Sequence, residues 1–568
     1  MAFGDANERQ QFERRRMALR TERETWMPHW RDIADLLLPR RGKFLTVQNA
    51  DANRGDRRNT KIVDPTGTLA LRTLSSGMMA GITSPARPWF KLITPDPDMM
   101  DYGPVRSYLE IVEQRMRTVF SRSNLYNVLP VVYEELGAFG TAAMAVLEDD
   151  EDIIRCYPYT IGEYMLANSK RLVTDTFYRE FPMTVGGVVS EFGVDNCSQQ
   201  VQDLYKGGQI DKWVNVVHLI EPNDKKLANV PGAKGMPWRS VYYEMGVSET
   251  EKDKFLRVEG FEEFPVMAPR WHVLSTDVYG RSPGMDALPD VKQLQVMARR
   301  KAQAIDKMVN PPMVAPSSMR QSPVSIIPGA VTYVDQQAAA GGQPAFRPAF
   351  EVNPRVAELM QDIQQKQSDV NRAFFTDMFL MIANDQRAQR ATAREIDEKH
   401  EEKLLQLGPV LERLHDELLD PLIDRVYAIM ARNSLLPEPP PEMQGIELRV
   451  EYVSMLAQAQ KAIGTAGIRD FFTFGIGLAG ANPAALDVMN FEKGVEAYGL
   501  AIGVPSDLVR TEDERKKIQA EKARKEQAAQ VLQMTAAAAD TAKTMAETPI
   551  GDQNGLERVL QGMGVSAP

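Results

Sequence analysis

The order of elements between residues 289 and 432 constrains the fold more than any other feature of the chain: helix, proline- and glycine-rich insertion, helix, then the longest periodic segment present. Pro289 or Asp290 opens the first helix, which runs to about Val309. Val291, Leu294, Ala298, Ile305 and Met308 lie on its apolar side, and Lys292, Gln295, Arg299 and Gln303 on the other. Asn310-Pro311-Pro312 stops it. Residues 313–354 hold Pro316, Pro323, Pro328-Gly329, Gly341-Gly342, Pro344, Pro348 and Pro354 around one strand, Ala330 to Asp335, which describes a small compact insertion and not a long linker. A second helix follows from about Arg355 to Met381 with Val356, Leu359, Ile363, Val370 and Phe374 as its stripe. The two helices bracket the insertion like a stalk bearing a tip, and at ~1.5 Å per residue each reaches on the order of 30 to 40 Å.

Beyond a polar stretch, Asn384 to Ala391, the periodic segment 392–432 carries Ile396, Leu404, Leu407, Leu411, Leu414, Leu418, Leu422, Val426 and Ile429. Pro409 and Pro421 fall inside it and predict kinks near 408 and 421. Ile446 to Val453 reads as a strand that returns the chain to its N-terminal half. That half opens with a helix from 6 to about 38, striped by Trp26, Trp30, Ile33 and Leu37 and ended by Pro39. Helical patterns recur at Thr66–Gly81 and Tyr102–Tyr133. From Ile153 to about Leu274 short β-branched runs (Arg171 to Arg179, Trp213 to Ile220, Val241 to Met245, Trp271 to Leu274) predict a meander of strands. The last third is helical and rich in small residues, with Ser506 and Thr511 as N-caps and Thr511/Glu514 as a capping box; 548–568 reads as a loose tail. The fold class is therefore mainly α with a mixed α/β N-terminal part.

Composition narrows the function. With 43% hydrophobic and 25% charged residues the chain has the make-up of a folded protein of several packed units, and no run approaches 18 apolar residues, so no membrane span is expected. The charged N-terminus is unlike a secretory signal. Two cysteines, Cys156 and Cys197, are too few for a disulfide framework or a four-thiolate zinc site. Sixty-seven basic against 77 acidic residues leave a net charge of −10, which excludes a surface built to grip nucleic acid throughout but allows local basic patches.

Chemical motifs fail on mechanism. Gly280-Arg281-Ser282-Pro283-Gly284 fits G-x-S-x-G, yet the residue after the serine, whose N–H would serve an oxyanion, is proline. Gly475-Ile476-Gly477-Leu478-Ala479-Gly480 fits G-x-G-x-x-G but lacks the preceding strand of a dinucleotide site. No phosphate-cradling G-x-x-x-x-G-K-[ST] loop is present. His400-Glu401 begins like a zinc-protease helix, but position 404 is leucine where the second imidazole is needed. Glu148 to Asp152 reads as a solvated acidic turn. No cofactor or metal is expected.

Basic residues remain. Arg387, Arg390 and Arg394 stand in the acid-free window 386–394; a solvated loop and a nonspecific phosphate contact both fit it. Lys292, Arg299, Arg300, Lys301 and Lys307 on the first stalk helix are opposed only by Asp306 between 291 and 310.

Several ordered motifs carry a resemblance: Arg31-Asp32-Ile33-Ala34-Asp35-Leu36-Leu37-Leu38-Pro39, Asp64-Pro65-Thr66-Gly67, Ser76 through Phe90 (SGMMAGITSPARPWF), the Tyr279 to Gly284 turn, Asn310-Pro311-Pro312, and Thr392-Ala393-Arg394-Glu395-Ile396. Over roughly residues 10 to 520 the chain resembles the head-to-tail connecting (portal) proteins of short-tailed, podovirus-type phages. The resemblance implies a non-enzymatic virion protein forming a ring of about twelve subunits at one capsid vertex. Through it double-stranded DNA is packaged and ejected, and it docks the terminase motor and then tail adaptor proteins, among major capsid and scaffolding proteins. The parts it implies are a wing (1–285), stem helix 1 (286–310), a clip (311–354), stem helix 2 (355–382), a tunnel loop (383–391), a long kinked helix with a return wing strand (392–453), a helical crown (454–547) and a flexible tail (548–568). On that reading Arg387 and Arg390 are the foremost DNA contacts, Arg394 contacts DNA or pairs with an acid of a neighbouring subunit, and Lys292, Arg299, Arg300 and Lys307 are further candidates. Two rivals stand beside it: an internal scaffolding or ejection protein without a ring, and a hydrolase using Ser282.

Overall fold

The computed structural model describes residues 6–46, 59–96, 102–311 with short gaps at 225–231 and 248–253, 313–314, 347–348, 356–384, 407–443, 448–453 and short pieces beyond 470. It comprises two compact units, Met1–Ile93 with Tyr108–Pro441 and Leu448–Gln460, and Thr94–Ser107 with Glu442–Glu447 and Lys461–Pro568. The expected strand Ala330 to Asp335, most of the tip, and Arg387, Arg390, Arg394 and His400 lie outside the described residues.

In the first unit the N-terminal pattern becomes helix α1, Ala6–Leu36. Trp30, Ile33 and Leu37 are fully buried and Trp30 meets Tyr279 edge-on at 5.1 Å, as the stripe predicts. Its first half lies on a five-stranded antiparallel sheet, order β4-β5-β6-β7-β8, made of Tyr164–Asn168, Thr174–Thr184, Trp213–Pro222, Trp238–Glu244 and Arg257–Phe261. Phe12 and Leu19 enter the sheet's core with Tyr178, Val217, Val241 and Tyr243. Arg9, Arg16 and Arg23, seven residues apart on the same helix, are buried too, so each must find acceptors. Arg9 donates to the Glu244 and Lys254 carbonyls, Arg16 to Glu13 and Glu180, and Arg23 to the Gly162 and Tyr164 carbonyls.

The meander is interrupted in a way the β-branched runs hid. Helices α6 (Val185–Phe192) and α7 (Gln199–Lys206) stand between β5 and β6, capped by the Thr184 and Ser198 hydroxyls, and fill the sheet's other face with Val185, Val188, Cys197 and Val201. Trp271 to Leu274 is no strand; only His272 makes a single bridge, to Arg281. A smaller sheet, β3-β2-β9 (Ile153–Tyr159, Ala143–Asp149, Val266–Met267), and the pair β1 (Phe90–Ile93) with β12 (Arg449–Tyr452) complete the strands of this region. β12 is the expected return strand, in register Phe90 to Tyr452. The acidic turn is structural: the Asp149 carboxylate accepts from the Asp152 N–H at 2.9 Å and Glu148 pairs with Arg432 at 2.8 Å.

Helices α2 (Lys43–Thr46), α3 (Thr66–Ile82), α4 (Gly103–Arg122) and α5 (Leu125–Phe139) precede the five-stranded sheet in the chain, and α3 and α5 pack on the first stalk helix. Glu135 of α5 is buried, accepts from the Ile161 N–H at 3.1 Å, and lies 3.2 Å from Arg41 Nε. The long periodic segment is helical from 407 to 432 where described, but one turn, His415–Leu419, is a π-helix before α11 (Asp420–Arg432). Pro421 explains it: it has no N–H for the Glu417 carbonyl and its ring crowds that group, so the turn widens and the Asp420 N–H bonds the His415 carbonyl instead.

In the second unit Gly475 and Gly477 lie within a helical stretch, 471–478, and a Cβ on Gly475 would meet the Met489 thioether. Gly475 serves close side-chain packing, and both glycines sit in a helix where a dinucleotide site needs a strand-to-helix turn.

Candidate nucleic-acid interface

The first stalk helix, α8, spans Pro283–Val309 and begins six residues before the expected Pro289. Ser282 caps it by accepting from the Met285 N–H at 3.0 Å, and Pro283 takes the first helical position, where a missing N–H costs nothing. That Ser-Pro signal was readable in the sequence and is the same feature that imitates a nucleophile. The Ser282 hydroxyl is 1% exposed and donates to the Ala138 carbonyl at 2.7 Å, at the end of α5. It is a joint between two helices with no open face for a substrate. Gly280 and Gly284 are required there, because a Cβ on Gly284 would fall 2.7 Å from the Ala138 carbonyl oxygen and one on Gly280 would meet that of Gly140.

The lower half of α8 is core: Ala287, Leu288, Val291 and Leu294 are buried. Gln295, expected on the polar side, is buried with them. Its carbonyl oxygen accepts from the Val63 and Asp64 N–H groups (2.6 and 2.8 Å) and its amide donates to the Asp64 carbonyl at 3.0 Å. The Asp64 carboxylate in turn accepts from the Thr66 N–H at 2.9 Å and from Gln367 at 2.9 Å. Asp64 thus ties α3, α8 and α9 (Val356–Ala373) at one point, and Lys366 to Asp290 at 2.7 Å adds a second tie between the stalk helices. Polar side chains that satisfy backbone groups are invisible to periodicity, which is why Gln295 was misplaced.

The upper half of α8 leaves the core. Ile305, Met308 and Val309 are 41%, 49% and 80% exposed within an arc of about 100°, an apolar surface that a lone chain leaves in water. Arg299, Arg300 and Lys307 are exposed alongside. At 3.6 residues per turn Lys292, Arg299, Arg300 and Lys307 fall within an arc of about 100° along about 22 Å of helix, so they form one basic stripe. Lys301 projects to the opposite side. Lys292 is paired with Asp32 of α1 at 2.6 Å, both about half exposed, which partly neutralises that end of the stripe. The three remaining cations of the stripe, Arg299, Arg300 and Lys307, stay exposed on one side of the helix. Among the described residues no cluster of three or more metal-ligating side chains occurs, and no helix is long and apolar enough to cross a membrane.

Comparison with known proteins identifies the family. Residues 9–509 match the family model described as bacteriophage head to tail connecting protein. The chain is 50% identical over 547 residues to the portal protein of Salmonella phage epsilon15, covering 96% of this chain and 97% of the relative. It is 44% identical over 544 residues to the probable portal protein of Bordetella phage BPP-1, covering 96% of each. Among solved structures, a chain from the neck of an empty gene transfer agent particle aligns over 71% of this chain and 86% of its own length, with 11% identity and a TM-score of 0.34.

Proposed function

Because the chain belongs to the bacteriophage head to tail connecting proteins, and is accordingly a portal protein of the virion and not an enzyme, we propose that it closes into a ring of about twelve copies whose channel carries double-stranded DNA. The ring docks the terminase motor during packaging and tail adaptor proteins afterwards, among capsid and scaffolding proteins. The observation that carries the ring is the upper half of α8, whose exposed Ile305, Met308 and Val309 need a covering surface that a heterologous contact between copies supplies. In this reading 1–285 is the wing, α8 and α9 the stem, 311–354 the clip, 383–391 the tunnel loop, and 454–547 the crown.

DNA contact is assigned to the basic stripe, Arg299, Arg300 and Lys307 with Lys292 at its paired end, and to Arg387, Arg390 and Arg394 beyond α9. Affinity for DNA falls with salt at a slope of about −0.9 per neutralised phosphate, so a channel with many such contacts would hold its cargo still. A net charge of −10 with few free cations suits passage. Negative-stain electron microscopy of the purified chain tests the reading. Closed annuli are expected; rods or mixed oligomers would replace it with a scaffolding or ejection role.

A further inference from the structure

The second stalk helix is expected to run unbroken past residue 380, since residues 356–384 contain neither glycine nor proline and the stripe Val370, Phe374, Met378 continues at helical spacing. Instead it stops. Helix α9 ends at Ala373, and α10 (Thr376–Asn384) starts afresh. Phe375, between them, has φ of +56°, the left-handed conformation that glycine ordinarily takes at a helix end and that a bulky aromatic residue adopts only under strain. Nothing local favours the break.

Tertiary contacts impose it. Phe374 is fully buried, and the Phe375 ring lies 6.2 Å from that of Trp271. The Thr376 hydroxyl donates to the Asn371 carbonyl at 3.0 Å, satisfying a group that the broken helix leaves open. Phe379, 5% exposed, occupies a notch on α3 at Gly77, so closely that a Cβ on Gly77 would fall inside its ring. One glycine on a neighbouring helix thus makes room for the side chain that anchors α10.

We infer that the α9–α10 joint is a two-state hinge: broken while Phe379 fills the Gly77 notch, and one continuous helix from Val356 to Asn384 when it leaves. Local propensity and the strain at Phe375 favour the continuous form, and the notch, Trp271 and Thr376 favour the broken one. Opposed preferences of this kind make an element bistable. The hinge stands on these contacts alone.

Spin labels on cysteines introduced at Met360 and Leu380, both exposed, measure the joint in the full-length protein, with labelled chains diluted into unlabelled ones so that only distances within a chain are read. A continuous helix separates the two positions by about 30 Å; the broken one is shorter. The parent should give mainly the shorter distance. Phe379→Ala, which empties the notch without a clash, should move most of the population to about 30 Å, and Gly77→Val should do the same. Adding Phe375→Gly to Phe379→Ala relieves the strain and should restore the shorter distance, a rescue that general loosening does not produce. A short distance unchanged in Phe379→Ala, or a long one that Phe375→Gly fails to reverse, overturns the hinge. Both outcomes are read whether or not the protein forms rings, so loss of the portal reading would leave this result standing.

Discussion

The Arg270 guanidinium, 4% exposed, is held by the Glu417 carboxylate at 2.6 Å, while Glu417 also accepts the Arg270 N–H at 2.9 Å. Glu417 sits in the π turn of the long helix, so that irregular turn is also where the helix is fastened to the loop after β9. Arg270 continues to the Leu172 carbonyl at 2.9 Å, which leaves it no route to water.

Removing one partner of such a pair strands a buried charge. Glu417→Ala should therefore destabilise the unit by about 3 to 5 kcal/mol, whereas an exposed pair such as Lys61 with Asp35 should be worth less than about 1 kcal/mol. Urea denaturation of both variants checks the contrast; equal losses would contradict it.

Ser282→Ala removes the cap of α8 and the donor to the Ala138 carbonyl. The expected loss is about 1 to 3 kcal/mol in unfolding free energy, with ring formation unchanged. A hydrolytic activity abolished by this substitution would contradict the capping role.

Acidity should act on the two buried glutamates and on His218 in opposite senses. Burial raises Glu135 to about 7 against the pull of Arg41, and Glu113 to about 7 against its bond from the Leu92 N–H. The folded state then keeps protons that the unfolded chain releases near its ordinary value of 4.5, so their contribution is full below that value and is lost as pH rises to about 7. Burial, with Arg179 and Arg257, holds His218 well below its ordinary 6.5, so its contribution is full above 6.5 and is lost as pH falls. The double variant Glu113→Gln, Glu135→Gln should remove the opposing carboxyl contribution, and unfolding free energy should rise more steeply from about pH 5 to pH 6.5 than in the parent. Chemical denaturation across that range decides; parallel curves would refute the assignment.

Substituting Arg299, Arg300 and Lys307 by glutamine should reduce the salt slope of duplex DNA binding by about 0.9 for each side chain that meets a phosphate, without altering sequence preference. Lys292→Gln should change it less, because Asp32 already engages that ammonium. Fluorescence anisotropy at several salt concentrations measures both, and an unchanged slope in the triple variant removes the stripe from the channel.

Residue order alone determined the helical stalk and its Asn310-Pro311-Pro312 stop, the return strand at 449–452, the absence of a workable catalytic motif and the family, because periodicity, proline chemistry and ordered motifs are local properties. Only the tertiary structure decided that Ser282 is a cap, that Gln295 turns inward to serve the Asp64 backbone, that α6 and α7 interrupt the strands, and that the second stalk helix breaks at Phe375. Each of these depends on a partner distant in the chain: the Ala138 carbonyl, Asp64, the sheet face behind Val216, and Gly77. A buried polar group or a bulky ring takes its conformation from whatever satisfies or accommodates it, and that identity is written elsewhere in the sequence at no fixed spacing.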